Sequence, residues 1–400
     1  MAKIIVKGQK KKNSGLVYFL TIVFSIAFLW FGNQIASQNM RLFDQQGQMA
    51  TLKARVIAIN DTIMTSESVG DGSEIKLTDI LFSAEITSGA RKGEVVNALQ
   101  NLNSYFIVTN KPVEVGDKTI LYELYNEQYA TDWVFGEYHR TDALVILAVL
   151  FALLILLFGR IKGLQTLISL VFTVLAVFFV FVPSILSGYN IYLWTMITCL
   201  FTTVMTLIIV SGVNMKTVSA IIGCMSGIIL SAILVIIMDQ LLNLTGVIDE
   251  DSVFLLMMNP EHPVDLKGIF FGAIVVGAMG AIMDVSMSIS SALYEMKEKY
   301  SANTFRQLFS SGLTIGRDIM GTMANTLVLA YIGGSLSVVL LLFTYSSSML
   351  DLLNREMVVI EILQALVGSM GILLTLPLTA AVSGLLYAEK KNHNRLRNKV

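Results

Sequence analysis

Apolar residues gather into one segment near the N-terminus, at 16–36, followed by a polar stretch at 37–142. Seven further apolar segments follow at 143–159, 164–186, 191–213, 217–242, 268–294, 317–345 and 358–387. Each is close to the roughly 20 helical residues that a hydrocarbon core requires. The pattern predicts an all-α polytopic membrane bundle of eight transmembrane helices. A small β-rich extracytoplasmic domain at 37–142 separates the anchor helix from a seven-helix domain at 143–388. Basic tails at 1–15 and 389–400 flank the whole. A chain that is 54% hydrophobic and 14% charged, with mean hydropathy +0.69, fits a lipid bilayer as its solvent.

Charge sets the expected orientation. Lys3, Lys7, Lys10, Lys11 and Lys12 precede the first segment, and Lys390, Lys391, Arg395, Arg397 and Lys399 follow the last. Arg160, Lys162, Lys216, Lys297, Lys299, Arg306 and Arg317 fall in alternate turns. An eight-helix path with both termini in the cytoplasm puts all of these on the inner side, as the positive-inside rule requires. The opposite turns receive Asp249, Glu250, Asp251, Glu261, Asp265, Asp351 and Glu356, with Lys267 and Arg355 as their cations. Residues 16–36 have the charge and core of a signal peptide. The following Asn33–Gln38 is a poor small-x-small cleavage site, so an uncleaved anchor is expected.

The polar stretch reads as strands. Met49–Ile59, Thr78–Thr87 and Tyr105–Thr109 are β-prone, and Lys111–Leu121 looks like strand, Gly-Asp turn, strand. Further turn signals stand at Gly70-Asp71-Gly72 and Ser88-Gly89. A barrel or sandwich of five or six strands is expected, acting as a spacer, a lid or a binding module. The aromatics from Tyr122 to Tyr138 end just before the second apolar segment, where an interfacial belt is the plain explanation.

A net charge of −1 gives no basic field for nucleic acid. Cys199 and Cys224 both lie in apolar segments, so the outer domain has no disulfide. No Cys/His metal spacing, P-loop or G-x-S-x-G occurs, which argues against ATP-driven transport and serine hydrolysis. No catalytic residue, metal or cofactor is expected.

The later segments carry small and polar stripes at helical spacing. Helix four lines up Thr195, Thr198, Thr202 and Thr206; helix five lines up Gly223, Gly227 and Ser231. Helix six lines up Ala273, Gly277, Gly280, Asp284, Ser288, Ser291 and Glu295. Helix seven carries Asp318, Gly321 or Thr322, Asn325 and Gly333, and helix eight Glu361, Gln364, Gly368, Gly371, Thr375, Thr379 and Ser383, with Pro377 able to kink it. Such stripes ordinarily let membrane helices approach closely. That makes Gly223, Gly227, Gly277, Gly280, Gly321, Gly368 and Gly371 candidate contacts. Asp284 is different, because a carboxylate facing lipid costs about 2.5–3.5 kcal/mol. It needs a partner or water. Arg317 is the nearest expected cation, so two readings stand: a buried pair that locks helices, or a solute or proton site built from Asp284, Ser288, Asn325, Arg317 and Asp318. Glu361 sits where an outer mouth of such a track would open, or where a boundary residue would snorkel.

Ser301–Gly312 is too polar to span, and Phe305, Leu308 and Phe309 form one face of a short helix expected on the inner surface. The outer loop with Asp249, Glu250, Asp251, Glu261, His262 and Asp265 could attract a cation, with a solvated acidic loop as the default reading.

Three stretches carry a resemblance: Gly159–Leu164 (GRIKGL), Gly277–Glu295 (GAMGAIMDVSMSISSALYE) and Gly316–Gly334 (GRDIMGTMANTLVLAYIGG). In these, the chain resembles the YibE/F-like family of bacterial multi-spanning proteins over about 140–390. The resemblance implies that Asp284, Arg317, Asp318 and Asn325 belong to the family's motif-bearing core. The paired family name implies a second related membrane subunit. A Gram-positive cell membrane is the expected location. Two functions are carried forward: a permease for a small solute or ion, and a non-transporting envelope component whose outer domain binds a partner. An intramembrane enzyme using Asp284 and Asp318 is weaker, because the two differ in expected depth.

Overall fold

The structure, a computed structural model, describes residues 2–38, 50–68, 74–103, 111–126, 129, 131–248, 250–258, 263–299, 304–345 and 348–388. The chain forms two compact units, one at Leu42–Leu154 and the other from Met1–Arg41 with Ile155–Val400.

The first unit is a closed barrel of five strands: β1 (Thr51–Ser68), β2 (Glu74–Ile86), β3 (Val95–Asn103), β4 (Lys118–Asn126) and β5 (Thr131–Tyr138). Its order is β1-β2-β3-β5-β4, with β1 closing on β4 and the β3–β5 pairing parallel. This is a Greek-key barrel of the OB type. Alternation drives it: Ile80, Phe82, Ala84 and Ile86 of β2 point inward and meet Val56, Ala98 and Leu121. Bulges between Val56 and Ala58 and between Ile59 and Asp61 bend β1 so that it can serve both β2 and β4.

Two sequence expectations change here. Residues 111–115 form no strand; the Gln100 side chain takes a strand's place, donating to the Lys111 carbonyl at 3.0 Å and accepting from the Val113 amide at 2.9 Å. Trp133 and Phe135 belong to the barrel core rather than to an interfacial belt. Tyr105–Thr109 and Gly70-Asp71-Gly72 lie outside the described residues.

The second unit is helical. Six helical stretches among the described residues are long and apolar enough to cross a membrane: Gly15–Ala36, Thr141–Leu186, Ile191–Ser211, Met215–Leu242, Leu266–Lys299 and Glu356–Tyr387. The first lies in α1 (Ala2–Ala36). The second comprises α2 (Thr141–Ala176), a π-helical turn at Val177–Phe181 and α3 (Val182–Leu186). The others are α4 (Ile191–Ser211), α5 (Met215–Leu242), α7 (Leu266–Lys299) and α11 (Glu356–Tyr387), the last continuous through Pro377. Between them lie α6 (Glu250–Met258), α8 (Phe305–Gly334), α9 (Leu336–Tyr345) and α10 (Met349–Asn354).

α2 is not straight. Arg160 has φ 51° and ψ −125°, outside helical values. The bend brings the Ile155 carbonyl so close to Gly163 that a Cβ there would collide with it. A straight helix would hold residues eight apart at about 12 Å. Glycine at 163 is therefore a steric requirement of the bend. Farther along, the Asn33 amide donates to the Phe179 carbonyl at 2.7 Å, a group that Pro183 four residues on has no N–H to serve.

α8 differs from expectation too. Phe305, Leu308 and Phe309 do not form a separate surface helix but open this 30-residue helix. Thr304 and Gln307 start it with a reciprocal capping box. Residues 301–303 lie outside the described residues.

Candidate functional site

The bundle is assembled on small residues. α5 and α11 run antiparallel with a repeat of four on each: Ser219 faces Ser383, Gly223 faces Thr379, Gly227 faces Thr375 and Ser231 faces Gly371. The serine hydroxyls at the end meet at 2.6 Å. A Cβ on Gly223, Gly227 or Gly371 would overlap the facing side chain, so the two backbones touch. α7 closes the third side, with Ile274, Ile282 and Ile289 fully buried in the core it shares with α5 and α11. The Ser290 hydroxyl bonds the Lys216 carbonyl at 2.7 Å and lies 2.7 Å from the Tyr387 hydroxyl, tying the three helices together at one end.

α8 packs along α11. Phe305, Gly312, Gly316 and Leu327 lie in turn against Gly384, Ala380, Leu376 and Gly368. They span Gly368 to Gly384 of α11, sixteen steps or about 24 Å at 1.5 Å per residue. α8 therefore lies beside a helix long and apolar enough to cross a membrane, although it is too polar to qualify as one itself.

Against this framework the stripe of α7 stands out by being left open. α7 meets α4 through the Tyr192 and Phe271 rings, 4.7 Å apart, and through Ser211 and Met287. Two of its contacts with α8 set the register, Gly277 beneath the Tyr331 hydroxyl and Leu293 beside Gly312. Gly280, Asp284 and Ser288 remain exposed. So do Arg317, Asp318, Gly321 and Asn325 on α8. The two contacts fix relative heights: Asn325 lies within one turn of Asp284, and Arg317 about 7 Å nearer the α7 C-terminus. The expected internal Asp284–Arg317 pair does not form. Among the described residues, none of Asp284, Arg317 and Asp318 has an ion-pair partner.

Nor are Gly280 and Gly321 helix contacts, since nothing lies within 4 Å of a Cβ at either. The expected contacts at Gly223, Gly227, Gly277, Gly368 and Gly371 all have close neighbours. Sequence reasoning missed Gly312 and Gly316, whose places against Ala380 and Leu376 leave no room for a side chain. Glu361 is half-buried on α11, one turn before Gln364, whose amide approaches Gly277. Thr195, Thr198 and Thr202 of α4 are buried and Thr206 half-buried.

Among the acids expected in the outer loop, Asp265 caps α7 by accepting from the Gly268 amide at 3.0 Å. Glu356 accepts from the Thr245 and Gly246 amides, both at 2.6 Å, and from the Thr245 hydroxyl at 2.8 Å. Asp249, Glu261 and His262 lie outside the described residues. No group of three or more potential metal ligands occurs among the described residues.

What the site offers chemically is a line of charged, amide and hydroxyl groups along two helices embedded in an apolar bundle. Residues 147–389 match a family model described as YibE/F-like protein. No curated protein and no solved structure matches the chain. The matched region contains α4 to α11 entire, with the open stripe at its centre, and the chain belongs to the YibE/F-like family.

Proposed function

We propose that this chain is a permease or transporter subunit of the bacterial cell membrane, moving a small solute or ion along the stripe of α7 and α8. The observation that carries the reading is the exposure of Asp284, Ser288 and Asn325 on helices packed into an apolar, membrane-type bundle. Ionisable groups at membrane depth face water or polar partners and mark pathways. Asp284 supplies charge, Ser288 and Asn325 neutral ligands, and Arg317 with Asp318 the inner end of the track.

The topology belongs to the same proposal. The bend at Arg160 divides a 46-residue stretch that would extend about 69 Å if straight, and α8 adds a crossing beside α11. Eight crossings with both termini in the cytoplasm follow from the distribution of lysine and arginine. The barrel, with a core of its own, favours a second reading in which the outer unit binds an envelope partner and the bundle relays.

The test is permeability. Vesicles reconstituted with the full chain are loaded with a pH-reporting dye, and in parallel challenged osmotically with a panel of salts and small neutral solutes. The proposal expects faster dissipation or swelling than protein-free vesicles for at least one member, lost in Asp284→Asn. Wild-type vesicles indistinguishable from empty ones across the panel would leave only the envelope reading.

A further inference from the structure

We propose that the open stripe is completed by a second copy of this chain, with Asp284 of each copy opposite Arg317 of the other. The inference deepens the transport reading, since it places the polar track between two copies, but its test is association and not flux. Asp284 and Arg317 have opposite charge, sit on neighbouring helices, are both exposed and have no ion-pair partner among the described residues. Leaving Asp284 against hydrocarbon costs about 2.5–3.5 kcal/mol.

A two-fold axis along the membrane normal is the symmetry that satisfies both charges at once. In an isologous contact, residue i meets j and j meets i, so two identical stripes give two Asp284–Arg317 pairs. The height difference of about 7 Å is one an arginine side chain can span, and a two-fold along the normal preserves it. Gly280 and Gly321 have open space where helix contacts ordinarily place small residues, which lets a second backbone come close. Lipid offers none of these groups a partner.

Charge exchange between copies separates this from pairing inside one chain. Full-length Asp284→Arg and Arg317→Asp variants carrying different tags are expressed singly and together, and co-purification is measured from membranes. Each variant alone brings like charges together twice and should lose self-association by about tenfold or more. The mixed pair restores both opposite-charge contacts and should associate as the wild type does. A mixed pair no better than the singles, or singles that associate normally, would overturn the proposal. If either variant fails to insert, a Ser288→Cys copy and a Gly321→Cys copy with native charges decide. A short thiol cross-linker should join them into a dimer, and failure to do so would refute it. A wild-type chain that conducts but does not self-associate would refute the dimer alone, whereas a wild-type dimer in inert vesicles would refute transport alone.

Discussion

Ser219 on α5 and Ser383 on α11 share a hydrogen bond of 2.6 Å between their hydroxyls, the first rung of a four-rung ladder. Each later rung pairs a glycine with a threonine or serine: Gly223 with Thr379, Gly227 with Thr375, Gly371 with Ser231. Hydroxyls and absent side chains are the currency of helix contact where the surrounding lipid is as apolar as leucine.

Replacing Gly227 by leucine should therefore force α5 and α11 apart. A cost at or above the upper end of the 1–3 kcal/mol usual for overpacking is expected, roughly. It should appear as a lower melting temperature and a smaller folded fraction in detergent. Gly321→Leu, on an open face, should leave the melting temperature of the isolated chain nearly unchanged. Equal damage from both would mean that the ladder has no special weight.

Glu356 should hold the turn after α5. Its carboxylate takes two amides and a hydroxyl from Thr245 and Gly246, and hydrogen bonds to a charged group are worth about 1.5–3 kcal/mol. Glu356→Ala should raise the hydrogen-exchange rate of the Gly246 amide well above wild type. An unchanged rate would show that the turn is held by its other contacts.

In the barrel, the Tyr129 hydroxyl donates to Asp79 at 2.6 Å, and that bond, with partial burial and the nearby Asp79 and Asp61 charges, holds the phenol above its usual value. A group whose folded pKa is raised adds stability below its unfolded value, near 10, and loses it as pH climbs through the folded value. Barrel stability should thus fall above about pH 10. Asp79→Asn should bring the ionisation midpoint of Tyr129 down, followed by NMR of ring-labelled tyrosine. A midpoint unmoved by Asp79→Asn would contradict the assignment.

The sequence was legible where chemistry leaves a periodic trace. The stripes of α5 and α11 could be read because contact requires small residues every fourth position. The same logic misjudged Gly280 and Gly321, because close spacing of small residues looks alike whether a neighbour is present or the face is open. Gly312 and Gly316 went unseen as contacts for the converse reason: Arg306, Gln307 and Ser310 made the start of their helix look like a short amphipathic helix on the inner surface. The capping pair Thr304 and Gln307 was the available signal that a long helix starts there. Asp284 and Arg317 could be singled out by cost, but that they do not pair within one chain is visible only in three dimensions.

Whether the stripe of α7 meets water is the most direct question. Cysteine placed at Ser288 or Asn325 should react in intact membranes with a charged methanethiosulfonate reagent, whose sulfur a hydrated thiolate attacks to form a mixed disulfide as methanesulfinate leaves. Cysteine at Ile229, on an exposed apolar face of α5, is the lipid-facing control, and native Cys199 and Cys224 are buried. A polar track through the membrane requires the two stripe positions to react at least about tenfold faster than position 229, consistent with ionisable groups facing water. Rates at 288 and 325 as slow as at 229 would show a dry stripe and contradict the account.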